Sequence, residues 1–406
     1  MYNVNIREEL FGATVSVVET GKREYVNKEE LEKIKEENVF PDGTFASKID
    51  EEYKIKYIPL DKNREIKDQF SFADIVYLEL TRGCNLRCKH CLNDSGEIMP
   101  DQLNEEKFEK LINELSEAGI QEVRLTGGEP LLYKDIYKLI KLCTDNGVCT
   151  SLGTNGTLVT KEVAQKLKDA GLKKVVVSID GIKDKHDEIR GEGNYDKAMA
   201  GLKYLKDAGI DVRVNAVIMR TNMEDVINLA KEMNKEKITL FIRRFIESGR
   251  GEILKDNMLN QKDYEYVKER LKDELDDSTP YVNGHYLRIN EGVHPRIPLP
   301  FTIRGCKAGQ RAIAIMPDGE IQLCGFLSAQ GFPGVDNVRN IKSWTEFWDE
   351  LQKLDKLKFL RDTLDEYNST EGVQETYCLA YIQRYLNLKN SKETNYEKSI
   401  EKWKFF

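Results

Sequence analysis

The sequence predicts an α/β protein built on a partial (β/α)6 barrel of parallel strands, and two observations support this fold class. Six short apolar segments rich in β-branched residues alternate with helix-like segments between about residues 76 and 244. Several of the helix-like segments end in Ala-Gly or Asn-Gly, a usual stop signal at a helix C-terminus. Short strands alternating with helices specify a parallel sheet with right-handed crossovers. In such a barrel the active groups are expected at the C-terminal ends of the strands.

The individual elements follow from these segments in chain order. The strand segments are VYLEL, EVRLTG, VCTSLG, KKVVVSID, DVRVNAVIM and ITLFIRR. The helix segments between them are EEKFEKLINELSEAG, DIYKLIKLCTDNG, KEVAQKLKDAG, NYDKAMAGLKYLKDAG and MEDVINLAKEMNK. Ahead of the barrel, the alternating run ATVSVVETGKREYV predicts a hairpin that turns at Thr20-Gly21-Lys22, and KEELEKIKEE predicts a helix after it.

Four regions are expected from where this alternation starts and stops. Residues 1–72 form a small N-terminal α+β module of hairpin and helix, and residues 73–250 form the barrel. Residues 251–304 form a helix and a proline-containing connection. Residues 305–406 form a C-terminal extension of turns, short strands and closing helices.

Composition narrows the classes of function. The chain has 406 residues, 33% of them charged and 40% hydrophobic, which excludes disorder as the main state. The net charge of −8 comes from interspersed charges of both signs and gives no reason to expect nucleic acid or an anionic membrane as a partner. The sequence has no apolar run long enough to span a membrane and no N-terminal signal pattern. We therefore expect a cytoplasmic protein.

Cysteines supply the first chemical signal, because in a cytoplasmic protein they are more often metal ligands or catalytic groups than disulfides. Cys84, Cys88 and Cys91 follow the first barrel strand in a C-x3-C-x2-C pattern. Three thiolates can hold three irons of a cubane iron-sulfur cluster and leave the fourth open. A zinc site is the alternative, but three thiolates without a fourth ligand nearby make a poor closed tetrahedral site.

This motif and its position resemble the radical S-adenosylmethionine (SAM) superfamily, and LELTRG leads into it here. The resemblance covers about residues 76–244 and implies a TIM-like partial barrel with a 4Fe-4S cluster whose open iron binds SAM. It also implies reductive cleavage of SAM to a 5′-deoxyadenosyl radical, which abstracts hydrogen from a substrate. A reductant such as flavodoxin or ferredoxin would supply the electron.

The resemblance also assigns residues to the SAM site. Gly127-Gly128-Glu129 at the end of the second strand resembles the family's GGEP turn, which approaches the methionine amino group. Ser178 and Arg190 correspond to residues that hold the methionine carboxylate, for which a guanidinium fork is well suited. Four more polar residues are expected to contact SAM: His90, Asn155, Asp180 and Asn215. A cap or a solvated turn is the alternative role for such residues.

The C-terminal cysteines resemble a second family feature. Cys306, Gly319 and Cys324 form a C-x12-G-x4-C pattern, which resembles the opening of the SPASM and twitch extensions, where a hairpin presents ligands to an auxiliary cluster. Cys378 is the only other cysteine in this region, so the shorter twitch type with one auxiliary cluster is expected. Three alternatives remain for the fourth ligand of this auxiliary cluster: a non-cysteine group, one of Cys143 and Cys149, or the substrate itself. Alternatively, the hairpin holds no metal and Cys378 is a buried helix residue.

A peptide is the substrate that the resemblance favours. Enzymes with such extensions act mostly on peptides and proteins, and residues 12–36 resemble the opening of an element that captures a leader peptide by strand addition. The following segment lacks the expected helical pair, so this element would be truncated. We expect maturation of a ribosomally made precursor peptide by crosslinking, epimerisation or a related change.

Two other classes of function remain open at this point. One is a radical SAM enzyme that acts on a small molecule or in cofactor or sulfatase-type maturation. The other is a non-catalytic zinc or iron scaffold, which formation of 5′-deoxyadenosine from SAM and reductant would refute. The sequence identifies no catalytic acid or base. Positions to test, chosen by their place in the chain, are Asp180, Tyr195, Arg243 and Cys378.

Overall fold

The structure is a computed structural model, and it describes residues 2–64, 69–275, 282–284 and 306–369, together with Leu379, Ile382, Gln383, Leu386 and Asn387. Its strands form one sheet of four strands and one of ten. In the described ranges, no helix is both long and apolar enough to cross a membrane.

The N-terminal elements form the four-stranded sheet and one helix. The elements are β1 (Tyr2–Glu9), β2 (Gly12–Val17), β3 (Lys22–Asn27), α1 (Lys28–Glu37) and β4 (Tyr53–Ile58). The predicted hairpin is confirmed, because β2 pairs antiparallel with β3 and Gly21 takes a positive φ of 59° in the turn. Reciprocal capping between Asn27 and Glu30 starts the helix. The last strand, β4, pairs parallel with β1 and forms one edge of the sheet.

The barrel has the six parallel strands that the sequence predicts. They are β5 (Ile75–Glu79), β6 (Glu122–Thr126), β7 (Cys149–Thr154), β8 (Lys174–Ser178), β9 (Asp211–Ile218) and β10 (Thr239–Arg244). Each pairs in parallel with the next in chain order. The helices on the outside are α2 (Glu105–Glu117), α3 (Ile136–Asp145), α4 (Lys161–Asp169), α5 (Lys183–Arg190), α6 (Asn194–Asp207), α7 (Met223–Lys235) and α8 (Gln261–Glu274).

The helix α5 is an element that the sequence pattern does not predict. Its sequence KDKHDEIR is almost wholly polar, and only His186 and Ile189 are buried. A helix this short and polar has little apolar periodicity for sequence reasoning to detect. Contacts with the rest of the fold stabilise it. It matters here because it carries Arg190 at its C-terminus.

The C-terminal region extends the same sheet. It contains β11 (Val282–Gly284), β12 (Ala312–Ile315), β13 (Glu320–Gln322), α9 (Gly325–Ser328), β14 (Asp336–Asn337), α10 (Trp344–Gln352) and α11 (Asp355–Ser369). The antiparallel hairpin of β12 and β13 was expected, but β12 also pairs in parallel with β5. The hairpin is therefore joined to the first barrel strand, directly beside the loop that carries the three clustered cysteines.

The two faces of the N-terminal sheet have opposite character. One face is apolar and packs with α1 in a core of its own, built from Val4, Ile6, Val15, Val26 and Ile34 among others. The other face carries buried charges and lies on the barrel. A guanidinium fork from Arg7, which is only 1% exposed, reaches Asp74 at 2.9 Å and the carbonyl of Ala73 at 2.7 Å.

These buried charges fix which end of the barrel the module covers. Asp74 directly precedes β5, and Arg23 of β3 donates to Glu122, the first residue of β6, at 2.8 Å. The Lys174 ammonium at the start of β8 donates to the carbonyl of Gly21 in the hairpin turn at 2.8 Å. The module therefore covers the N-terminal ends of the strands and leaves the C-terminal ends to the functional site.

Candidate functional site

The three clustered cysteines lie on a loop that follows β5 at the C-terminal end of the barrel. Backbone hydrogen bonds close its base: the Cys84 amide donates to the carbonyl of Gly96 at 3.2 Å, and the Gly96 amide donates to the carbonyl of Arg82 at 2.9 Å. Cys88 is buried, with 7% of its surface exposed, whereas Cys84 and Cys91 are half-buried. Burial raises the pKa of the Cys84 and Cys88 thiols. Binding of iron would displace these protons, because the thiolate is the ligand.

Arg250 holds this loop from the opposite side of the barrel, a role that sequence reasoning missed. Its guanidinium Nε donates to the carbonyl of Cys88 at 2.9 Å, and its Nη1 donates to the carbonyl of Ser95 at 2.9 Å. Its backbone amide donates to the carbonyl of Cys91 at 3.1 Å. The only sequence signal is an arginine between two glycines just after the last barrel strand, which does not distinguish a clamp from an ordinary turn.

The Gly127-Gly128 turn packs tightly against the same loop. The amide of Gly128 donates to the carbonyl of Thr81 at 2.7 Å, and the amide of Glu129 donates to the carbonyl of Gly83 at 2.8 Å. Gly127 has a φ of 142°, and a Cβ there would lie 2.4 Å from the Thr81 carbonyl oxygen. These glycines therefore permit the turn and the cysteine loop to approach each other backbone to backbone.

We predict that Gly128→Ala weakens iron binding. A Cβ at this position would lie 2.3 Å from the carbonyl oxygen of Gly83, and backbone atoms cannot rotate away as a side chain does. The loop would have to shift, at a cost of about 1–3 kcal/mol. The matched control is Gly153→Ala on β7, where the nearest atom is the Thr126 hydroxyl at 3.7 Å. Iron per protein after anaerobic reconstitution should fall only in the first variant, and equal iron in both would contradict the prediction.

Glu129 joins the ends of two neighbouring strands. It is fully buried, and burial raises the pKa of its carboxyl. One oxygen accepts from the Thr154 hydroxyl at 2.8 Å and the other from the Asn155 amide at 2.8 Å. The Asn155 side chain in turn donates to the Asn85 side chain of the cysteine loop at 2.9 Å. Glu129 and Asn155 thus support the loop from β6 and β7, and direct contact of either with SAM stays a prediction.

Asp180 is the centre of a second buried group of charges. Its Oδ2 accepts from Arg190 Nε at 2.6 Å and lies 3.0 Å from His90 Nε2, while Oδ1 accepts from the Val217 amide at 2.8 Å. Burial alone would raise the pKa of Asp180, but the charge of Arg190 and the contact with His90 outweigh it and hold the pKa well below its usual value. Arg190 Nη1 lies 3.7 Å from Cys88 Sγ. The predicted site residues His90, Asp180 and Arg190 therefore form one buried group, which Arg190 joins to Cys88.

Other predicted residues lie along the ends of β8, β9 and β10. Ser178 stands opposite Asn215 in the strand register, and the Asn215 side-chain oxygen accepts from Arg243 Nε at 3.2 Å. These three side chains form a polar row at the C-terminal end of the barrel. Tyr195 lies elsewhere: its hydroxyl bonds to Glu232 at 3.2 Å in the outer layer of helices. A role for these residues toward SAM or substrate stays a prediction.

The donor set suits an iron-sulfur cluster better than a single metal ion. In the part of the chain that the structure describes, no three His, Cys, Asp or Glu side chains are grouped to hold one ion. A zinc ion would need its sulfur ligands about 2.3 Å from one point. Three thiols on one loop can hold three irons of a cubane cluster, for which Cys84, Cys88 and Cys91 would be the ligands.

The C-terminal hairpin places two more cysteines on the same core. Cys306 lies ahead of β12, Cys324 lies directly before α9, and both pack against the main hydrophobic core. The turn between β12 and β13 contains Gly319, which takes a φ of 86°. Arg82, two residues before the cysteine loop, contacts the sulfur of Met316 at the start of this turn at 3.2 Å. Cys378 lies outside the described residues. An auxiliary cluster on these cysteines stays a prediction.

Iron content tests that auxiliary site directly. We predict that a protein with Cys84, Cys88 and Cys91 all replaced by alanine retains about four irons after anaerobic reconstitution, the content of one cubane cluster. Further replacement of Cys306 and Cys324 should remove them, as measured by iron and sulfide analysis with electron paramagnetic resonance. Iron near zero in the first variant would show that the C-terminal cysteines are structural.

Comparisons with known proteins agree with this arrangement. The family model of the radical SAM superfamily matches residues 78–233. The AdoMet-dependent heme synthase of Nitratidesulfovibrio vulgaris is 30% identical over 328 residues, which cover 76% of this chain and 86% of that protein. The mycofactocin maturase MftC of Mycolicibacterium smegmatis is 35% identical over 182 residues, 44% of this chain and 46% of that protein.

A solved structure shares the fold along nearly the whole chain. Streptococcus suis SuiB bound to its precursor peptide SuiA covers 97% of this chain and 98% of its own, with a TM-score of 0.66 and 19% identity. The cysteine loop, the glycine turn and the barrel thus agree with the family match and with a relative that is 30% identical over 76% of this chain. The chain belongs to the radical SAM superfamily, and it is an enzyme that uses SAM and a 4Fe-4S cluster.

Proposed function

We propose that this enzyme modifies a peptide substrate, in the manner of the maturases of ribosomally made peptides. The cluster and SAM, when bound, supply the radical that removes a hydrogen atom from the substrate. The chain's own residues hold the cofactors, orient the target bond and exclude water. Cys84, Cys88 and Cys91 would hold the cluster, and the polar row of Ser178, Asn215 and Arg243 would face SAM and the substrate.

The observation that carries this proposal is the free edge of the N-terminal sheet. Among the described residues, no backbone group hydrogen-bonds to the outer edge of β4. This strand reads YKIKYI, with Lys54 exposed and Tyr57 41% exposed, whereas the Lys56 ammonium donates to the Ser116 hydroxyl at 3.4 Å and to the Asn146 carbonyl at 3.3 Å. An extended peptide can add to such an edge as a further strand, and an acidic side chain on it would pair with Lys54.

The comparisons support the same proposal. SuiB, whose fold matches this chain almost end to end, was solved with its precursor peptide SuiA bound. MftC, which is named a maturase, shares 35% identity with 44% of this chain. A heme synthase and a peptide maturase are both relatives of this chain, so the N-terminal sheet is the feature that favours a peptide.

The test uses the short peptides encoded beside the gene, incubated anaerobically with enzyme, SAM and dithionite and analysed by mass spectrometry. We predict that Lys54→Glu combined with Tyr57→Ser raises KM for the modified peptide about threefold to tenfold, because two cross-strand pairs are lost. Its kcat should change little, since the contact lies far from the reacting atoms.

The matched control is Lys33→Glu, a charge reversal on α1 at a side chain that is 58% exposed. It should leave KM unchanged. An unchanged KM in the β4 variant would show that the peptide binds elsewhere, and absence of any modified peptide would count against a peptide substrate.

A tetrapyrrole is a second candidate substrate, because a heme synthase is 30% identical to this chain over a match that spans 86% of that synthase. Arginines at the barrel mouth, such as Arg243, would suit the carboxylates that tetrapyrroles carry. Titration of the purified enzyme with heme, followed by absorbance, tests this candidate. Saturable binding that Arg243→Gln weakens would favour it over a peptide.

A further inference from the structure

Cys88 differs from the other two cysteines of the loop in the hydrogen bond that its sulfur receives. The Sγ atoms of Cys84 and Cys91 accept from the neutral backbone amides of Leu86 at 3.4 Å and Ser95 at 3.3 Å. The Sγ of Cys88 instead faces the guanidinium of Arg190, whose Nη1 lies 3.7 Å away. Among the hydrogen bonds of the described residues, Cys88 is the one of the three loop cysteines whose sulfur faces a charged donor.

The Arg190 guanidinium is aimed at this sulfur by a fixed partner. Its Nε donates to Asp180 Oδ2 at 2.6 Å, and the Asp180 carboxylate is fully buried and held by the Val217 amide and by His90 as well. Only 9% of the Arg190 side chain is exposed. A planar guanidinium anchored at Nε has little freedom, so its Nη1 stays directed at Cys88.

Burial makes this contact electrostatically strong. The ion pair of Asp180 and Arg190 lies with its positive end toward the cysteine, in a region where water screens charges poorly. Hydrogen bonds to the ligand sulfurs and nearby charge are among the factors that set the reduction potential of iron-sulfur clusters. A positive donor stabilises the reduced cluster more than the oxidised one, because reduction adds negative charge to the cluster and its thiolates.

We propose that Arg190 is a positioning residue for the cluster and that it raises the reduction potential of the cluster by donating a charge-assisted hydrogen bond to Cys88 Sγ. Asp180 orients the Arg190 guanidinium. This role differs from holding the carboxylate of SAM, the role that family resemblance implies for Arg190. It concerns the cluster itself and does not depend on which substrate the enzyme modifies.

The test is an electron paramagnetic resonance redox titration of the full-length reconstituted protein without SAM or peptide. Arg190→Gln should lower the ratio of reduced to oxidised cluster at a fixed potential about tenfold, equivalent to a 59 mV shift for a one-electron couple. The matched control is Arg87→Gln, an arginine on the same loop that pairs with Glu97 at the surface. Its titration should coincide with that of the wild type.

A second measurement keeps the proposal testable where Arg190→Gln retains too little iron to titrate. Wild-type protein labelled with 15N in its arginine side chains should show weak 15N coupling to the reduced cluster by pulsed electron paramagnetic resonance. This coupling should disappear in Arg190→Lys and persist in Arg250→Lys. An unchanged potential in Arg190→Gln, or the absence of that 15N coupling in the wild type, would overturn the proposal.

Discussion

Replacement of Cys88 by alanine is expected to abolish SAM cleavage and leave the fold intact. Cys88 is the most buried of the three loop cysteines, and two remaining thiolates cannot hold three irons of a cubane cluster. The contacts that shape the loop here involve its backbone, because Arg250 Nε donates to the Cys88 carbonyl and not to the sulfur. Alanine keeps that carbonyl, so the loop should retain its path.

The measurement is 5′-deoxyadenosine formed per protein with SAM and dithionite, alongside iron content and thermal unfolding. The matched control is Cys143→Ala, since Cys143 is also a buried cysteine but lies on α3 in the hydrophobic core. The control should still form 5′-deoxyadenosine. Wild-type rates in Cys88→Ala would contradict the assignment of this loop to the cluster.

Asp74→Asn is expected to cause the largest loss of stability at neutral pH, about 3–5 kcal/mol, the usual cost of removing one partner of a buried ion pair. Asp74 is fully buried between two arginines, with Arg7 Nη2 at 2.9 Å and Arg311 Nε at 2.7 Å. The amide would leave the buried Arg311 guanidinium without the carboxylate it is bonded to, while Arg7 would keep Glu9 at 2.8 Å. The loss of stability should include the N-terminal module, because these charges join that module to the barrel.

The same carboxyl predicts a pH dependence. Burial opposes ionisation, but Arg311 and Arg7 outweigh it and lower the pKa of Asp74 from 3.8 to about 2. The unfolded chain therefore binds this proton more readily than the folded one, so the contribution is complete above pH 4 and is lost as pH falls toward 2. It amounts to about 2 kcal/mol at neutral pH. Burial raises the pKa of the neighbouring Glu9, which works in the opposite direction.

Urea unfolding of wild type and Asp74→Asn at pH 7, 4 and 3 measures the contribution of the Asp74 charge together with its effect on Glu9, which pairs with the same Arg7. The difference between their free energies of unfolding should shrink as pH falls. Asp211→Asn is the control, since its pair with Arg213 is half-exposed and such pairs contribute at most about 1 kcal/mol. A difference that does not change with pH would contradict the role given to the Asp74 charge.

Local patterns were sufficient to predict the barrel and the cysteine loop. Each barrel strand is short and rich in apolar residues, and helices of clear periodicity separate most of the strands, so the order of six parallel strands follows from the sequence. The C-x3-C-x2-C spacing is equally local, because all three ligands lie within eight residues. The N-terminal hairpin was also predictable from Gly21 and its flanking alternation.

Contacts between distant parts of the chain were not predictable in this way. Arg250 reaches Cys88 across 162 residues, and the pairing of β12 with β5 joins segments more than 230 residues apart. The contact of the polar face of the N-terminal sheet with the barrel could not be predicted for a related reason. Arg7 and Asp74 look like surface charges in the sequence, and only the fold buries them against each other. The motif also did not predict that the oxygens of Glu129 join two strand ends, and its contact with the cofactor stays a prediction.

Hydrogen transfer from the substrate tests the central claim most directly. The candidate peptide is prepared with deuterium at its carbon-bound positions and incubated anaerobically with the reconstituted enzyme, SAM and dithionite. The mass of the 5′-deoxyadenosine that forms is then measured by mass spectrometry. The account predicts 5′-deoxyadenosine one mass unit heavier than with the unlabelled peptide, together with a modified peptide. Unlabelled 5′-deoxyadenosine at the rate seen without peptide would contradict a peptide substrate and direct the search to small molecules.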